Sequence, residues 1–309
     1  MQHSFGLQDI QLQDTWLTIG SFDGVHLGHQ KIIQKITAGA HREGAPAVVL
    51  TFYPHPSVVL RGPRNAFYLT MPEEKADVLT AMGIDLVVTY PFTYEVAGMT
   101  PRDFIQTLHN HLGFKRLMVG YDFALGRNRA GNVLRLKELG EEFGYQVKVV
   151  EAVKLDGEVV SSSRVRSHLE AGELASATQL LGRPFSLTGK VIPGDGRGKQ
   201  IGVPTANLAT HQERAVPAAG VYACRVHREG KVFPAVTNIG VRPTFETDPV
   251  QPRVETHILD FSKELYGEEL RLDFIARLRA ERRFESIEAL VAQIHQDIAV
   301  GREILAGTH

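Results

Sequence analysis

Two histidines three residues apart, His26 and His29, close the string Gly20-Ser-Phe-Asp-Gly-Val-His-Leu-Gly-His29. If a helix starts there, that spacing puts both imidazoles on one face. The apolar run Trp16–Gly20 before them and Gln30-Lys-Ile-Ile-Gln-Lys-Ile36 after them read as strand, glycine turn, helix. A helix start carries unpaired N–H groups and the positive end of the dipole, and both attract phosphate. Two imidazoles at that point predict chemistry on a phosphate, with Gly20, Ser21, Phe22, Asp23 and Gly24 forming the turn that holds it. Such a pair could also bind a metal, but the zinc-protease helix is His-Glu-x-x-His, and no Glu lies between these two.

Three more strings carry groups suited to nucleotide phosphates. Thr51-Phe-Tyr-Pro-His-Pro56 presents His55 between prolines; its bland reading is a rigid loop. Val119-Gly-Tyr-Asp-Phe-Ala-Leu-Gly126 presents Asp122, and Arg129 follows in Gly126-Arg-Asn-Arg-Ala-Gly131. Ser161-Ser-Ser-Arg-Val-Arg166 places Ser162, Ser163 and Arg166 at a helix start, where hydroxyl and guanidinium groups suit phosphate oxygens and a plain N-cap is the alternative. Asp23 has a second reading too, as a brace within its own turn.

The second half has its own glycine-rich loop, Gly194-Asp-Gly-Arg-Gly-Lys-Gln-Ile-Gly-Val-Pro-Thr-Ala-Asn207. It is not a P-loop, because Pro193 and Gln200 stand where Gly and Ser or Thr are required. Thr205 and Asn207 lie two apart, so an extended chain points both the same way. Their oxygens are hard ligands suited to Mg²⁺; a turn with a Thr/Asn pair is the plain alternative. Glu255 interrupts the apolar run Val254–Phe261. A carboxylate there could lift a proton from a hydroxyl, or it could be a surface charge on an edge strand.

These motifs need elements to position them. Apolar runs at 16–20, 47–52, 85–90, 116–120 and 145–150 predict strands, with helices at 27–39, 72–82, 101–112 and 131–143 between them. That alternation predicts a doubly wound parallel α/β sheet, in which ligands sit beyond the carboxyl ends of the strands. The candidate strings fall at those ends. Asp156-Gly157 predicts a tight hairpin, and helical patterns follow at 163–170 and 173–181. From 185 to 280 the runs are short and split by Gly and Pro (187–192, 221–226, 232–238, 254–261, 269–278), which predicts an antiparallel barrel or sandwich. A capped helix follows from Ser286 to about 305. The predicted domains are 1–184 and 185–309.

Composition bounds the rest. The chain has 309 residues, 43% hydrophobic and 22% charged, and suits two soluble domains. A net charge of −1 provides no general basic field for nucleic acid. The single cysteine, Cys224, excludes an intrachain disulfide, and its strand-like setting predicts a buried inert thiol. No apolar run approaches membrane-spanning length and the N-terminus does not resemble a leader, so a cytoplasmic protein with no membrane partner is expected. No heptad seam speaks to oligomeric state.

The order of motifs closely resembles the bacterial bifunctional riboflavin kinase/FAD synthetases. Gly-x-Phe-Asp-Gly-x-His-x-Gly-His, Thr-Phe-x-Pro-His-Pro, Val-Gly-x-Asp-Phe and Ser-Ser-Ser-x-x-Arg match the nucleotidyltransferase half, as do Arg129 and Gly131. One departure is Ala124-Leu125, where an Arg-Phe pair is common. Gly194–Asn207, Gly220–Ala223, Asn238–Phe245, Val254–Phe261, Leu265-Tyr-Gly267 and Leu278-Arg-x-Glu-x-x-Phe284 match the kinase half across most of 183–305.

The resemblance implies a small β-barrel with a C-terminal helix for that half. It implies two reactions: riboflavin and ATP give FMN in the second domain, then FMN and ATP give FAD and pyrophosphate in the first. It assigns His26 and His29 to the α-phosphate, Ser162, Ser163 and Arg166 to pyrophosphate, Thr205 and Asn207 to MgATP, and Glu255 to general base. Gly196, Arg197, Gly198 and Lys199 would form a flap over the phosphates. Arg277, Arg279, Tyr266 and Phe284 are candidates for flavin or nucleotide contact, with surface charge or core packing as alternatives. Rival readings are a nucleotidyltransferase for another phosphate ester and a catalytically inactive flavin-binding regulator. An RNA-binding role for the β-domain lacks an aromatic platform.

Overall fold

The computed structural model describes residues 3–62, 67–194, 196, 198, 201–241 and 252–307. Two compact units result: Met1–Arg64 with Leu69–Ser162, and Asn65–Tyr68 with Ser163–His309.

In the first unit, β1 (His3–Phe5), β2 (Trp16–Ile19), β3 (Ala47–Tyr53), β4 (Leu86–Pro91), β5 (Arg116–Gly120) and β8 (Gln146–Val150) form one sheet in the order β1-β4-β3-β2-β5-β8. Every pairing in it is parallel. The hairpin strands β6 (Ala124–Leu125) and β7 (Gly131–Asn132) lie between β5 and β8 in sequence. The helices are α1 (Leu27–Arg42), α2 (Pro56–Arg61), α3 (Pro72–Ala81), α4 (Tyr94–Gly98), α5 (Pro101–Leu112) and α6 (Val133–Phe143).

Alternate strand residues feed two cores. Leu17, Ile19, Val48 and Leu50 pack with Phe104, Ile105 and Leu108 of α5 and Leu136 and Leu139 of α6. Trp16, Ala47 and Val49 pack with Ile33, Ile36 and Ala40 of α1 and Leu79 of α3. The sheet is thus covered on both faces, as continuous apolar strands require. The strand order runs outward from β2 in both directions, so the switch point lies between β2 and β5. Ligands in such sheets bind at the carboxyl ends there.

Several short elements escaped the sequence reading because they are too short for periodicity, among them β1, α2, α4 and the β6–β7 hairpin. Helix 131–143 starts later than expected, at Val133, since Gly131 and Asn132 pair with β6 and Asn132 caps the helix. The Asp156-Gly157 hairpin forms between β9 (Lys154–Leu155) and β10 (Glu158–Val159), with positive φ at both turn residues.

Helices α7 (Ser162–Ala171) and α8 (Leu174–Leu181) precede the barrel. Leu174, Ala177, Leu180 and Leu181 of α8 are buried. The barrel strands are β11 (Phe185–Ile192), β12 (Ala206–Ala209), β13 (Gly220–Arg228), β14 (Lys231–Val241), β15 (Pro252–Ile258) and β16 (Glu269–Ala280). They close in the order β11-β12-β15-β14-β13-β16, all antiparallel. Phe185, Tyr222, Cys224, Leu272 and Phe274 are buried completely or nearly so. Burial pushes the Cys224 thiol up to about 12, which makes it the inert group expected. Helix α9 (Ile287–Gly307) follows, one residue later than the expected start, with Ser286 accepting from Ala289 N–H as its cap. Among the described residues no helix is long and apolar enough to cross a membrane.

Candidate active sites

The first site is built on the turn between β2 and α1. Phe22, Gly24 and Val25 all have positive φ, at 47°, 77° and 42°. A buried β-branched residue in that region is strained, and such strain persists only where the surroundings impose it. The surroundings are identifiable. Asp23 is buried and its Oδ1 accepts from Leu69 N–H at 2.9 Å and Thr70 N–H at 3.2 Å. Gly24 N–H donates to Thr70 Oγ1, and Ser162 Oγ donates to the Asp23 carbonyl at 2.8 Å. Asp23 and Ser162 therefore brace the turn.

His26 is the N-cap of α1, and its Nδ1 accepts from His29 N–H at 3.4 Å. An accepting Nδ1 puts the proton of a neutral ring on Nε2. The His26 and His29 rings stack at 3.6 Å and 16°, so the pair expected to share a face is in direct contact. The Phe22 ring backs His29 edge-on at 5.1 Å. Gly28 lies close under this pair: a Cβ there would stand 3.1 Å from His26 Cε1, a tight contact to which the ring would have to give by a few tenths of an ångström.

His55 caps α2, its Nδ1 facing Ser57 N–H at 3.1 Å and Ser57 Oγ at 2.9 Å. Arg129 Nη2 donates to the Asp122 carbonyl at 2.9 Å, which brings those two predicted residues together after β5. On α7, Arg166 lies over the Phe67 ring at 4.3 Å and reaches Ser163 Oγ at 3.4 Å.

The second site is a cavity of about 490 Å³ on the outer wall of the barrel, within the range of small-ligand pockets. Strand register explains its lining. Asn207 on β12 is opposite Glu255 on β15, and Glu255 is opposite Asn238 on β14. Asn238 is opposite Val221 on β13, which is opposite Arg279 on β16. One row of side chains thus crosses five strands, and every member lines the cavity. Leu290, Ile294 and Ile298 of α9, four residues apart, line it from the helix side. Glu255 is not on an edge, since β15 is paired on both sides, and that alternative falls.

Thr205 joins the lining with Asn207, as the two-residue spacing predicts, and so do Gly196 and Gly198. Arg197 and Lys199 of the expected flap lie outside the described residues, as does the string from 242 to 250. Arg253 stands between the two key oxygens, its Nε 2.6 Å from Glu255 Oε1 and 3.0 Å from Asn207 Oδ1. A cation therefore already lodges beside Asn207. Among the described residues no group of three His, Cys, Asp or Glu could hold a metal alone.

The comparisons with known proteins divide the chain in the same way. A family model described as FAD synthetase matches residues 8–164, and one described as riboflavin kinase matches 181–305. The chain belongs to the bifunctional riboflavin kinase/FMN adenylyltransferase family. Proteins of that name are 38% identical in Pseudomonas fluorescens (94% of this chain, 92% of theirs), 37% in Escherichia coli (94% and 93%) and 35% in Listeria monocytogenes (91% and 89%). A crystal structure named as a macrolide-efflux protein from Streptococcus pneumoniae is 29% identical, with a TM-score of 0.86 over 97% of this chain and 98% of that one. The two activities in the family name are those of this chain: phosphorylation of riboflavin to FMN and adenylylation of FMN to FAD.

Within the barrel unit, the structure separates the flavin-contact candidates. Phe284 lines the barrel cavity, flanked by Arg279 at 5.7 Å and Arg282 at 4.8 Å. Tyr266 is 64% exposed and outside the cavity lining. Arg279 pairs with Asp297 of α9 through three contacts of 2.8–3.0 Å, while Arg277 donates to the Ala219 carbonyl and does not line the cavity. Sequence reasoning missed Arg253, His257, Asn238 and Asp297, and also Lys75 behind the glycine turn. Lys75 did leave a signal: it lies four residues before Leu79 on the buried face of α3.

Proposed function

We propose that the His26–His29 turn performs adenylyl transfer and the barrel cavity performs the kinase reaction. In the kinase site, Glu255 takes the proton of the riboflavin primary hydroxyl as its oxygen attacks the γ-phosphorus of ATP and ADP leaves. The observation that carries this is the row Asn207–Glu255–Asn238 inside a cavity of ligand size. Thr205 and Asn207 would hold Mg²⁺, which supplies charge neutralisation to the ATP phosphates. Phe284 and the apolar stripe of α9 suit a flavin ring system.

In the first site, an FMN phosphate oxygen attacks the α-phosphorus of a second ATP, and the bond to the β-phosphate oxygen breaks. His26 and His29 neutralise charge on the α-phosphate, and the amides of the turn receive phosphate oxygens. His55, Asp122 and Arg129 belong to the nucleotide pocket, and Ser163 and Arg166 to the departing pyrophosphate. Gly196 and Gly198 of the cavity lining would cover the kinase phosphates, the flap role also assigned to Arg197 and Lys199, which lie outside the described residues. Functionally, residues 1–184 form the adenylyltransferase module and 185–309 the kinase module. The partners are riboflavin, FMN, FAD and ATP in the cytoplasm, with neither nucleic acid nor membrane.

The test is riboflavin plus MgATP, with flavins resolved by chromatography over time. FMN is expected first, then FAD. His29→Ala is expected to stop at FMN; FAD at the wild-type rate in that variant would refute the site assignment.

A further inference from the structure

The ammonium of Lys75 is completely buried behind the glycine turn. Its Nζ donates to the Ser21 carbonyl at 2.9 Å and to Thr51 Oγ1 at 3.0 Å. Thr51 Oγ1 itself donates to the same Ser21 carbonyl at 2.9 Å. One carbonyl in the turn after β2 is therefore held by two donors, one from α3 and one from β3.

A trans peptide places its C=O and N–H on opposite sides. Pinning the Ser21 oxygen inward fixes the Phe22 N–H outward, away from Lys75. Among the described residues no backbone carbonyl takes that N–H. It belongs to the strained turn that leads directly into His26.

A buried lysine ammonium is costly unless something requires the charge, and an apolar side chain would fill the same place in the core at less cost. Burial holds the Lys75 group down at about 8, against the raising effect of Asp23. The other groups near it are few. His3 of β1 feels its charge, and Glu73 and Asp77 of α3 act on that histidine.

We infer that Lys75 is a positioning residue for adenylyl transfer, pinning the Ser21–Phe22 peptide so that the Phe22 N–H faces a substrate phosphate. The inference rests on the reading that the His26–His29 turn is the adenylyl-transfer site. Lys75 touches no substrate in this role. It acts through one peptide plane, and its charge holds that plane against the strain of the turn.

The test uses the full chain with supplied FMN and MgATP, and riboflavin phosphorylation as an internal control. Lys75→Met is expected to lower kcat for FAD formation about 100-fold, the scale of a small misplacement at a reacting centre. FMN formation should be unchanged, and the unfolding temperature should not fall. Wild-type FAD formation should decline as pH rises through about 8, as the ammonium loses its proton. Lys75→Arg, which stays charged, should restore activity and remove that decline.

Three results discriminate. Wild-type FAD formation by Lys75→Met, beside an inactive His29→Ala, overturns the inference alone. Wild-type FAD formation by His29→Ala overturns the site reading beneath it. Should Lys75→Met fail to fold, an alkaline decline that persists in Lys75→Arg overturns the inference independently.

Discussion

The Arg253 guanidinium bridges Glu255 and Asn207, its Nε 2.6 Å from one oxygen and 3.0 Å from the other. On the proposed reading, it engages the Asn207 oxygen assigned to the metal and the carboxylate assigned as general base at the same time. If that reading holds, MgATP binding displaces it. Arg253→Ala should therefore lower the Mg²⁺ concentration that half-saturates nucleotide binding. Partly exposed pairs contribute up to about 1 kcal/mol, so a two- to fivefold decrease is expected. Calorimetric titration of ADP at varied Mg²⁺ reads this directly, and an unchanged or higher requirement would contradict it.

Glu255→Gln removes the proton acceptor but keeps the shape of the row. FMN formation should fall about 10²- to 10⁴-fold, the usual contribution of a positioned base. Supplied FMN should still become FAD at the wild-type rate. A parallel loss of both reactions would show that Glu255 supports the fold rather than the transfer.

The Arg279–Asp297 pair ties α9 to the barrel, with the two side chains only 19% and 6% exposed. Gln293 donates to the same carboxylate at 2.8 Å. Asp297→Ala leaves a guanidinium without its counter-charge at the cavity wall. A loss of about 3 kcal/mol is expected for the second unit. Urea unfolding monitored by circular dichroism should show an early transition, while FMN adenylylation persists below it.

Cys224 gives a pH prediction whose sign is fixed. Its folded thiol titrates near 12, against 9.0 for an unburied one. The unfolded chain therefore releases this proton first, and stability is lost as pH climbs from about 9 towards 12. Below pH 9 the native thiol stays neutral and should resist a thiol reagent until the barrel unfolds. Rapid labelling of the native protein at pH 8 would contradict the burial.

Sequence alone settled the pieces that depend on local pattern. Near-continuous apolar strands alternating with helical periods define a parallel sheet covered on both faces, and Leu17/Trp16 and Val48/Val49 do face opposite cores. The Asp156-Gly157 turn, the Thr100-Pro101 helix start and the short-strand grammar of the barrel likewise follow from residue type. The order of motifs was enough to point to two phosphate-handling sites and to the flavin enzymes.

What the sequence left open was every property that depends on register or burial. That Glu255 is not an edge charge became visible only once β15 was paired on both sides, with Asn207 and Asn238 directly opposite. That Asp23 braces its turn became visible only when Leu69 and Thr70, more than forty residues away, were found donating to it. Lys75 and Arg253 carry no motif at all. Their importance comes from where a folded chain puts a charge, behind Ser21 in one case and between two oxygens in the other. Local sequence determines which elements form and which chemical groups they carry. Only tertiary pairing brings together residues distant along the chain, and that decides which charges are buried and which oxygens they meet.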